Sequence, residues 1–521
     1  MSRIGFIKED FIKTFSKPDK GSRKLMQLVF GDKVEILEYS NKWTKLKSLD
    51  SYSTGIKYIP GKLSLMRKGI LKISMVDVQQ GDGMIIESPD GKVVFIDGGD
   101  NKLFARHAAA RYQYKKSSAE NPMDVEAIIV THGDADHFDG LNEIVKSEKN
   151  RTKRKRLFIK PKRVYHNGLA KSPSKNKNKS VKPEKRFGKT VKSGNRLYAI
   201  DLFDDTRDAK PDQLNNPFKS WHNSLNHWEN ATNSKIECKR IEYGMDEKKI
   251  FKFFDDEDVS IDLLGPFTKK VNYRNKKVPG LPFLNKHSDD SMIHLDSDKE
   301  LKEISASHTI NGHSIAFKLT YGNVRILFTG DLNKESLDIM LKNIPSPKDL
   351  ECEIFKAPHH GSHDFAVKAI KAASPIISII SSGDESAFHE HIHPRATLLA
   401  ALGNNSRTDM SIILSTELAA FFAKKDECYT RKDLESFFKN SKQKDFTSEE
   451  LRKLFSGIPR KEDPKGMFYG FQRTNFGIIH MRTDGKRILS FTHSGKKGRN
   501  EAYSYTISDN HNVKSNKIKK R

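Results

Sequence analysis

The sequence predicts an α/β fold whose strands deliver acidic and histidine side chains to one edge, preceded by a small all-β module. Three observations predict it. Apolar, β-branched runs recur along the chain and end in Asp, His or Gly, as in Ile128-Ile129-Val130 before Thr131-His132. Segments with helical spacing separate these runs. The first sixty-odd residues alternate apolar and polar positions and are punctuated by turn signals.

Bulk properties narrow the function. A chain of 521 residues has room for two or three domains. Lys and Arg number 93 against 67 Asp and Glu, a net charge of +26, which favours a polyanionic partner. Cys238, Cys352 and Cys428 form no paired motif, so reduced thiols and a reducing compartment are expected. The N-terminus lacks the apolar core of a signal peptide, and no window approaches a membrane span. A cytoplasmic location is expected.

In KLMQLVFGDKVEILEYSNKWTKLKSLD, Gly31-Asp32 and Ser40-Asn41 mark turns between alternating strands. The order of strands and turns from about residue 20 to 64 resembles a bacterial Src-homology-3-like barrel, which implies a ligand-binding or docking module over residues 1–66. Ile70 to Asp100 then reads as strands, with a hairpin turn at Pro89-Asp90-Gly91 and a strand that ends in Asp97-Gly98-Gly99. Asp97 is expected to support a site at that edge. Asn101 to Met123 reads as a helix.

Thr131 to Gly140 reads THGDADHFDG, the pattern H-x-D-x-D-H. His132, Asp134, Asp136 and His137 thus leave a buried strand in one tight turn, where Gly133 and Ala135 leave room for the backbone. Imidazole and carboxylate together suit zinc, manganese or iron. The Leu141–Val145 stretch continues as a helix whose N-terminus favours anions beside that loop.

Lys146 to Arg196 is the most basic part of the chain. Lys153, Arg154, Arg156, Lys162 and Arg163 are the candidate nucleic-acid contacts there. The Ser/Lys/Asn/Pro run from Lys171 to Lys185 is either a solvated insertion or a phosphate-tracking arm. In residues 197–300, KIECKRIEYG is helical or irregular and VSIDLLGP is a strand. Later strands repeat the first design: one ends at Asp331, one at His359-His360-Gly361-Ser362, and one precedes His389, His391 and His393. RKDLESFFKN and SEELRKLF read as helices. NFGIIHMRTDGKRILSFTH is a closing hairpin, and the basic tail 499–521 is expected to be disordered.

The pieces DVQQGDGMII, FIDGG, THGDADHFDGL, NGHSIAFKL, ILFTGDL, KAPHHGS and EHIHP, in this order and with the RTDG hairpin, resemble the metallo-β-lactamase superfamily. Within it they look most like the hydrolase domain of the ComEC family of DNA-uptake proteins. The resemblance runs over roughly residues 70–495, which implies a hydrolase domain over residues 67–498 with insertions near 146–300 and 417–469. It implies a four-layer αββα sandwich. It also implies two divalent ions, Zn²⁺ or Mn²⁺, with a bridging hydroxide. His132 and Asp134 would serve one ion; Asp136, His137 and the late histidine His391 the other; Asp331 would bridge, and Asp97 would orient the loop. His313 or Asn311 fills the third motif, and His393 is the alternative to His391. Asp136, His360 and His359 are the candidate acid–base residues. Asp134 stands where the commoner pattern has His, and a carboxylate favours manganese.

The reading that follows is a metal-dependent phosphodiesterase or nuclease, with DNA the favoured partner. The alternatives are a hydrolase of a small ester, amide or phosphorylated metabolite, and a non-catalytic protein docking on nucleic acid or another partner. Metal-dependent turnover separates the first two from the third.

Overall fold

The apolar runs form strands buried on both faces, as parallel sheets covered by helices require. The computed structural model describes residues 3–50, 55–176, 179–287, 300–383, 393–418, 477–493 and 501–520, with short strands at 429–430, 467–468 and 474–475.

The first sheet grows from β1 (Leu71–Met75), β2 (Gly83–Glu87) and β3 (Val93–Asp97), every residue of which is buried. Helix α1 (Leu103–Arg111) leads to β4 (Ala127–Ile129), which pairs parallel with β3. Helix α2 (Ala135–Ser147) leads to β5 (Arg163–His166), parallel to β4. Helix α3 (Asn216–Thr232) leads to β6 (Glu237–Arg240), parallel to β5.

The second sheet contains β7 (Val259–Gly265), β8 (Ala316–Tyr321), β9 (Val324–Phe328), β10 (Ile354–Lys356), β11 (Ile377–Ile380) and β12 (Ile412–Ser415), side by side in that order. Strands β9 to β12 run parallel. They are joined by α4 (Lys334–Asn343), α5 (Val367–Ala373) and α6 (Ala396–Asn404). The chain then returns to the first sheet beside β1, through β13 (Ile478–Thr483), β14 (Arg487–His493), β15 (Ala502–Ile507) and β16 (Val513–Asn516).

One core cluster draws on both sheets, with Ile73, Ile96 and Ile129 from the first and Phe317, Ile326 and Ile379 from the second. A second cluster joins the first sheet to its helices through Phe95, Phe104, Phe138 and Trp221. A third joins the second sheet to its helices through Leu327, Leu337, Ile370 and Leu402. Parallel strands end together, so the C-terminal ends of β3 and β4 meet those of β9 and β10, the edge where α/β sheets bind ligands.

The N-terminal module is a seven-stranded antiparallel sheet running from Arg3–Ile7 to Leu65–Met66. Ile7, Ile12, Leu28, Val34, Leu46 and Ile59 fill its core. It is fastened to the rest: Arg482 on β13 donates from Nη1 to Asp32 at 2.7 Å and to the Phe30 carbonyl at 2.6 Å. Lys72 on β1 pairs with Asp50 at 2.6 Å.

Three expectations need correction. KIECKRIEYG supplies strand β6, not a helix, because Cys238 pairs in register with Val164 on β5. The expected 101–123 helix stops at Arg111, a short 3-10 turn follows at Gln113–Lys115, and Met123–Val125 is a strand. The basic tail is ordered: β15 pairs antiparallel with β14 and β16, and Lys519 N donates to Asp10 Oδ2 at 2.7 Å. The RKDLESFFKN and SEELRKLF stretches and His391 lie outside the described residues. No described helix is long and apolar enough to cross a membrane. Cys238 and Cys352 are free thiols, and burial pushes the Cys238 pKa up to about 12.

Candidate metal centre

Five strand ends build one cluster. The loop after β1 supplies Asp82, β3 supplies Asp97, and β4 leads into Thr131–His137. Strand β9 leads to Asp331, and β10 supplies Lys356 and leads to His359 and His360. The loops approach closely: a Cβ at Gly81, whose φ is +95°, would lie 1.7 Å from the Asp136 carbonyl oxygen. Asp97, His359 and His360 hold positive φ of 55°, 47° and 52°. Non-glycine residues pay for that conformation, and such strain concentrates at functional sites.

Ligand atoms of His132, His137 and Asp331 lie within 4.8 Å of one another, and so do those of Asp136, His137 and His360. Asp82, Asp331 and His360 form a third such group, and Asp82, Asp97 and His137 a fourth. Asp331 Oδ2 lies 3.3 Å from His137 Nε2 and 2.9 Å from His360 Nε2. His360 Nε2 lies 3.6 Å from Asp136 Oδ2. Yet His137 Nε2, His360 Nε2 and Asp331 Oδ1 are buried and make no properly directed hydrogen bond. Buried polar atoms are rarely left so. Imidazole and carboxylate atoms aimed at one another suit a divalent ion such as Zn²⁺ or Mn²⁺.

The supporting bonds fix which atoms are offered. Asp97 Oδ2 accepts from Thr131 Oγ1 at 2.7 Å and lies 2.8 Å from His137 Nδ1, while Asp97 Oδ1 accepts from Thr131 N at 2.8 Å. Nδ1 of His137 is thereby engaged, and Nε2 faces the cluster. His132 Nδ1 lies 3.2 Å from both Thr131 Oγ1 and Ser314 Oγ. Gln80 donates to Asp136 Oδ2 at 3.3 Å.

Charges here are strongly coupled. Burial opposes the charged forms of His137 and His360, but Asp331 and the other carboxylates win and hold both pKa values well above the usual range. Burial likewise opposes ionised Asp331, yet the two imidazoles keep its pKa well below the ordinary value. His132 shifts the other way: burial, with His137 alongside, holds it neutral. The carboxylates and the imidazoles of His137 and His360 thus favour one another's charged forms.

Two members of the cluster were not anticipated. Lys356 is fully buried on β10, with its Nζ on Asp82, 2.9 Å from the Gly330 carbonyl and 3.7 Å from Asp331 Oδ1. Asp82 also lies 3.3 Å from His360 Nδ1. The signal for Lys356 was a lysine inside the apolar run EIFKAP, which a fully buried strand tolerates only with a partner. Asp82 was visible in QQGDG, one strand end among several.

Other expected residues sit elsewhere. His313 is turned away: its Nε2 lies 2.7 Å from the Pro282 carbonyl oxygen, at the end of the short helix Ala306–Gly312. Its helical turn brings Asn311 to the rim instead, 3.2 Å from His359 Nε2. Asp134 stands just before α2 without a capping side-chain bond and belongs to none of the converging groups among the described residues; its Oδ1 holds Lys171. With the Asn311 amide turned, its nitrogen donates to Asp134 Oδ2 at 2.9 Å. His393 lies near His359, with ring centroids 6.3 Å apart.

The five basic residues expected to meet nucleic acid lie at the other end of the sheet. Lys162 precedes and Arg163 opens β5, whose far end faces the site, and both pair with Glu126, at 2.8 and 2.5 Å. Lys153, Arg154 and Arg156 follow α2, whose thirteen residues carry the chain about 20 Å away from the ligand loop.

Residues 76–201 match the family model described as the Metallo-beta-lactamase superfamily. No curated protein matches the chain. The matched span contains Asp82, Asp97, His132, Asp136 and His137, while Asp331, Lys356 and His360 come from the second sheet beyond it. The family implies metal-dependent hydrolysis, and the grouped His and Asp side chains are candidate ligands for it.

Proposed function

We propose that this chain, whose residues 76–201 form a metallo-β-lactamase superfamily domain, is a metal-dependent phosphodiesterase acting on nucleic acid. The observation that carries the reading is the convergence of His137 Nε2, His360 Nε2 and Asp331 Oδ1, all without directed hydrogen bonds, on one strand edge of a chain with net charge +26. The cluster supports a dinuclear centre in which His132 and Asp331 would serve one ion and Asp136 and His360 the other, with the single free nitrogen of His137, Nε2, going to one of them. Clusters arranged around both sheets support the four-layer αββα arrangement, and the resemblance of the sequence motifs ILFTGDL and KAPHHGS supports kinship with ComEC-type hydrolases.

Divalent ions held there would supply Lewis-acid charge to a phosphodiester and acidify a water. The chain's own groups do the rest. Asp97 and Thr131 hold the His137 ring in place. Lys356 keeps Asp82 ionised and lies close enough to Asp331 to steady its charge. Asp136 is the one carboxylate of the ligand groups that is partly open to solvent, which suits it to accept a proton from an attacking water. His359 stands at the rim with a buried Nδ1 that makes no hydrogen bond, placed to protonate a leaving oxygen.

The test is to count bound metal and incubate the protein with labelled single- and double-stranded DNA and RNA. Mn²⁺, Mg²⁺ and Zn²⁺ are supplied separately, beside an Asp136→Ala/His137→Ala control. Cleavage lost in the control and in chelator establishes the activity and names its substrate. Bound metal without cleavage of any nucleic acid overturns the phosphodiesterase reading in favour of a small-molecule hydrolase.

A further inference from the structure

The basic insertion reaches Asp134, in the loop that carries His132, Asp136 and His137. Lys171 places its ammonium on Asp134, and both side chains are mostly buried, 14% and 18% exposed. A lysine ammonium has three donors, so one bound to Asp134 leaves two for another anion. The segment that follows leaves the site and returns to it. Ser172 N donates to the Arg186 carbonyl at 2.9 Å, and Arg186 Nε donates to the Ser172 carbonyl at 2.8 Å, which closes the base of the excursion beside Lys171. Within it Lys175 stands across from Ser180, and Asn176 across from Lys179. Lys175, Lys179, Lys182 and Lys185 are exposed and form no ion pair among the described residues. Cationic side chains therefore run outward from Asp134, whereas Lys162 and Arg163 at the far end of the sheet are consumed by Glu126.

We propose that Lys171 and the arm behind it form a phosphate-binding subsite beside the metal centre, which takes the phosphates flanking the scissile one in a nucleic-acid strand. Charge and placement argue for a strand over a mononucleotide. A mononucleotide's phosphate is engaged at the metal centre itself and leaves the outer lysines without an anion. A strand offers them a phosphate at every nucleotide.

This inference rests on the phosphodiesterase reading, and its test separates the two. The full chain loaded with Mn²⁺ is compared with Lys171→Met, Lys171→Arg and Lys175→Ser/Lys179→Ser. The substrates are a labelled DNA strand and bis(p-nitrophenyl) phosphate, a phosphodiester with no flanking phosphate. Lys171→Met is expected to raise KM for the strand about ten-fold more than KM for the small diester, and Lys171→Arg to restore most of that difference. The exposed double variant, which removes no buried group, is expected to weaken the strand selectively by about three-fold and to reduce the salt dependence of its binding. Equal losses on both substrates would show that Lys171 only supports Asp134, and would overturn the subsite. If the parent turns over neither diester, the phosphodiesterase reading fails. Fluorescence anisotropy of the same strand in EDTA then decides the subsite alone: a salt slope lower by about one in Lys171→Met supports it, and an unchanged slope overturns it.

Discussion

Charge is buried in two regions of this molecule, and the two treat it differently. At the seam between the N-terminal sheet and the first large sheet, the charges at its centre have directed partners. Asp32 takes Arg482 at 2.7 Å and Val29 N at 2.9 Å, and Asp50 takes Lys72 at 2.6 Å and Lys33 N at 2.7 Å. The Arg487 guanidinium lies 3.7 Å over the Phe30 ring. At the strand edge, Asp82, Asp136, Asp331, His137 and His360 are crowded together with several atoms aimed at nothing but each other. Satisfied charges hold one piece of protein to another. Crowded, under-bonded charges are costly unless something binds among them, which marks the edge as the working region and the seam as structural.

Asp331→Ala and Arg482→Met break this contrast or sharpen it. Asp331→Ala should remove chelatable metal and lower hydrolysis at least roughly 10²–10³-fold. Its metal-free melting temperature should fall less than in Arg482→Met, because His137 and His360, freed of the carboxylate that favours their charged forms, can shed their protons rather than stay buried and unpaired. Arg482→Met should do the opposite. It strands buried Asp32, which costs about 3–5 kcal/mol, so calorimetry should show a clear fall in Tm while metal content at 25 °C is retained. Comparable destabilisation by both variants would mean that the edge is a structural ion cluster like the seam.

A smaller effect probes how the edge is held. Thr131→Val removes the hydroxyl that donates to Asp97 Oδ2 at 2.7 Å. Loosening the partner of His137 in this way should cost about 10–100-fold in metal affinity, measured by competition with a chromogenic chelator. An unchanged affinity would leave Asp97 as a turn former only.

The edge was more legible in the sequence than the seam. His132, Asp136, His137, Asp331 and His360 announce themselves because metal-binding side chains at strand ends serve no ordinary packing purpose. Lys356 and Asp82 were harder to see, since each is a single charge whose meaning depends on the other across two sheets. His313 misled because position in NGHS says nothing about a helical turn, and that turn points the ring at the Pro282 carbonyl. Arg482 and Asp32 are 450 residues apart, beyond the reach of local pattern. The tail misled for a related reason. Its lysines suit an exposed edge strand as well as a disordered end, and only the pairing of β16 with β15 decides between them.

The smallest expected effect contrasts histidines inside and outside the edge. His222 on α3 is buried beside the Thr206 hydroxyl at 3.0 Å, and burial, with Arg207 nearby, lowers its pKa to about 4. It is neutral in the folded protein, whereas His137 and His360 are pushed toward the charged form. The folded pKa of His222 lies below the unfolded value of about 6.5. Between the two values the unfolded chain binds a proton that the folded chain refuses. The stability His222 provides is therefore present above about pH 6.5 and is lost as pH falls toward 4. Between pH 7 and 5 the loss from this one group is about 2 kcal/mol. Denaturant titrations of the parent and His222→Gln at pH 7 and pH 5 check it, because the variant should lose less stability across that interval. If both chains lose the same amount, acid sensitivity belongs to the crowded edge, and the division between a quiet interior and a charged working region must be redrawn.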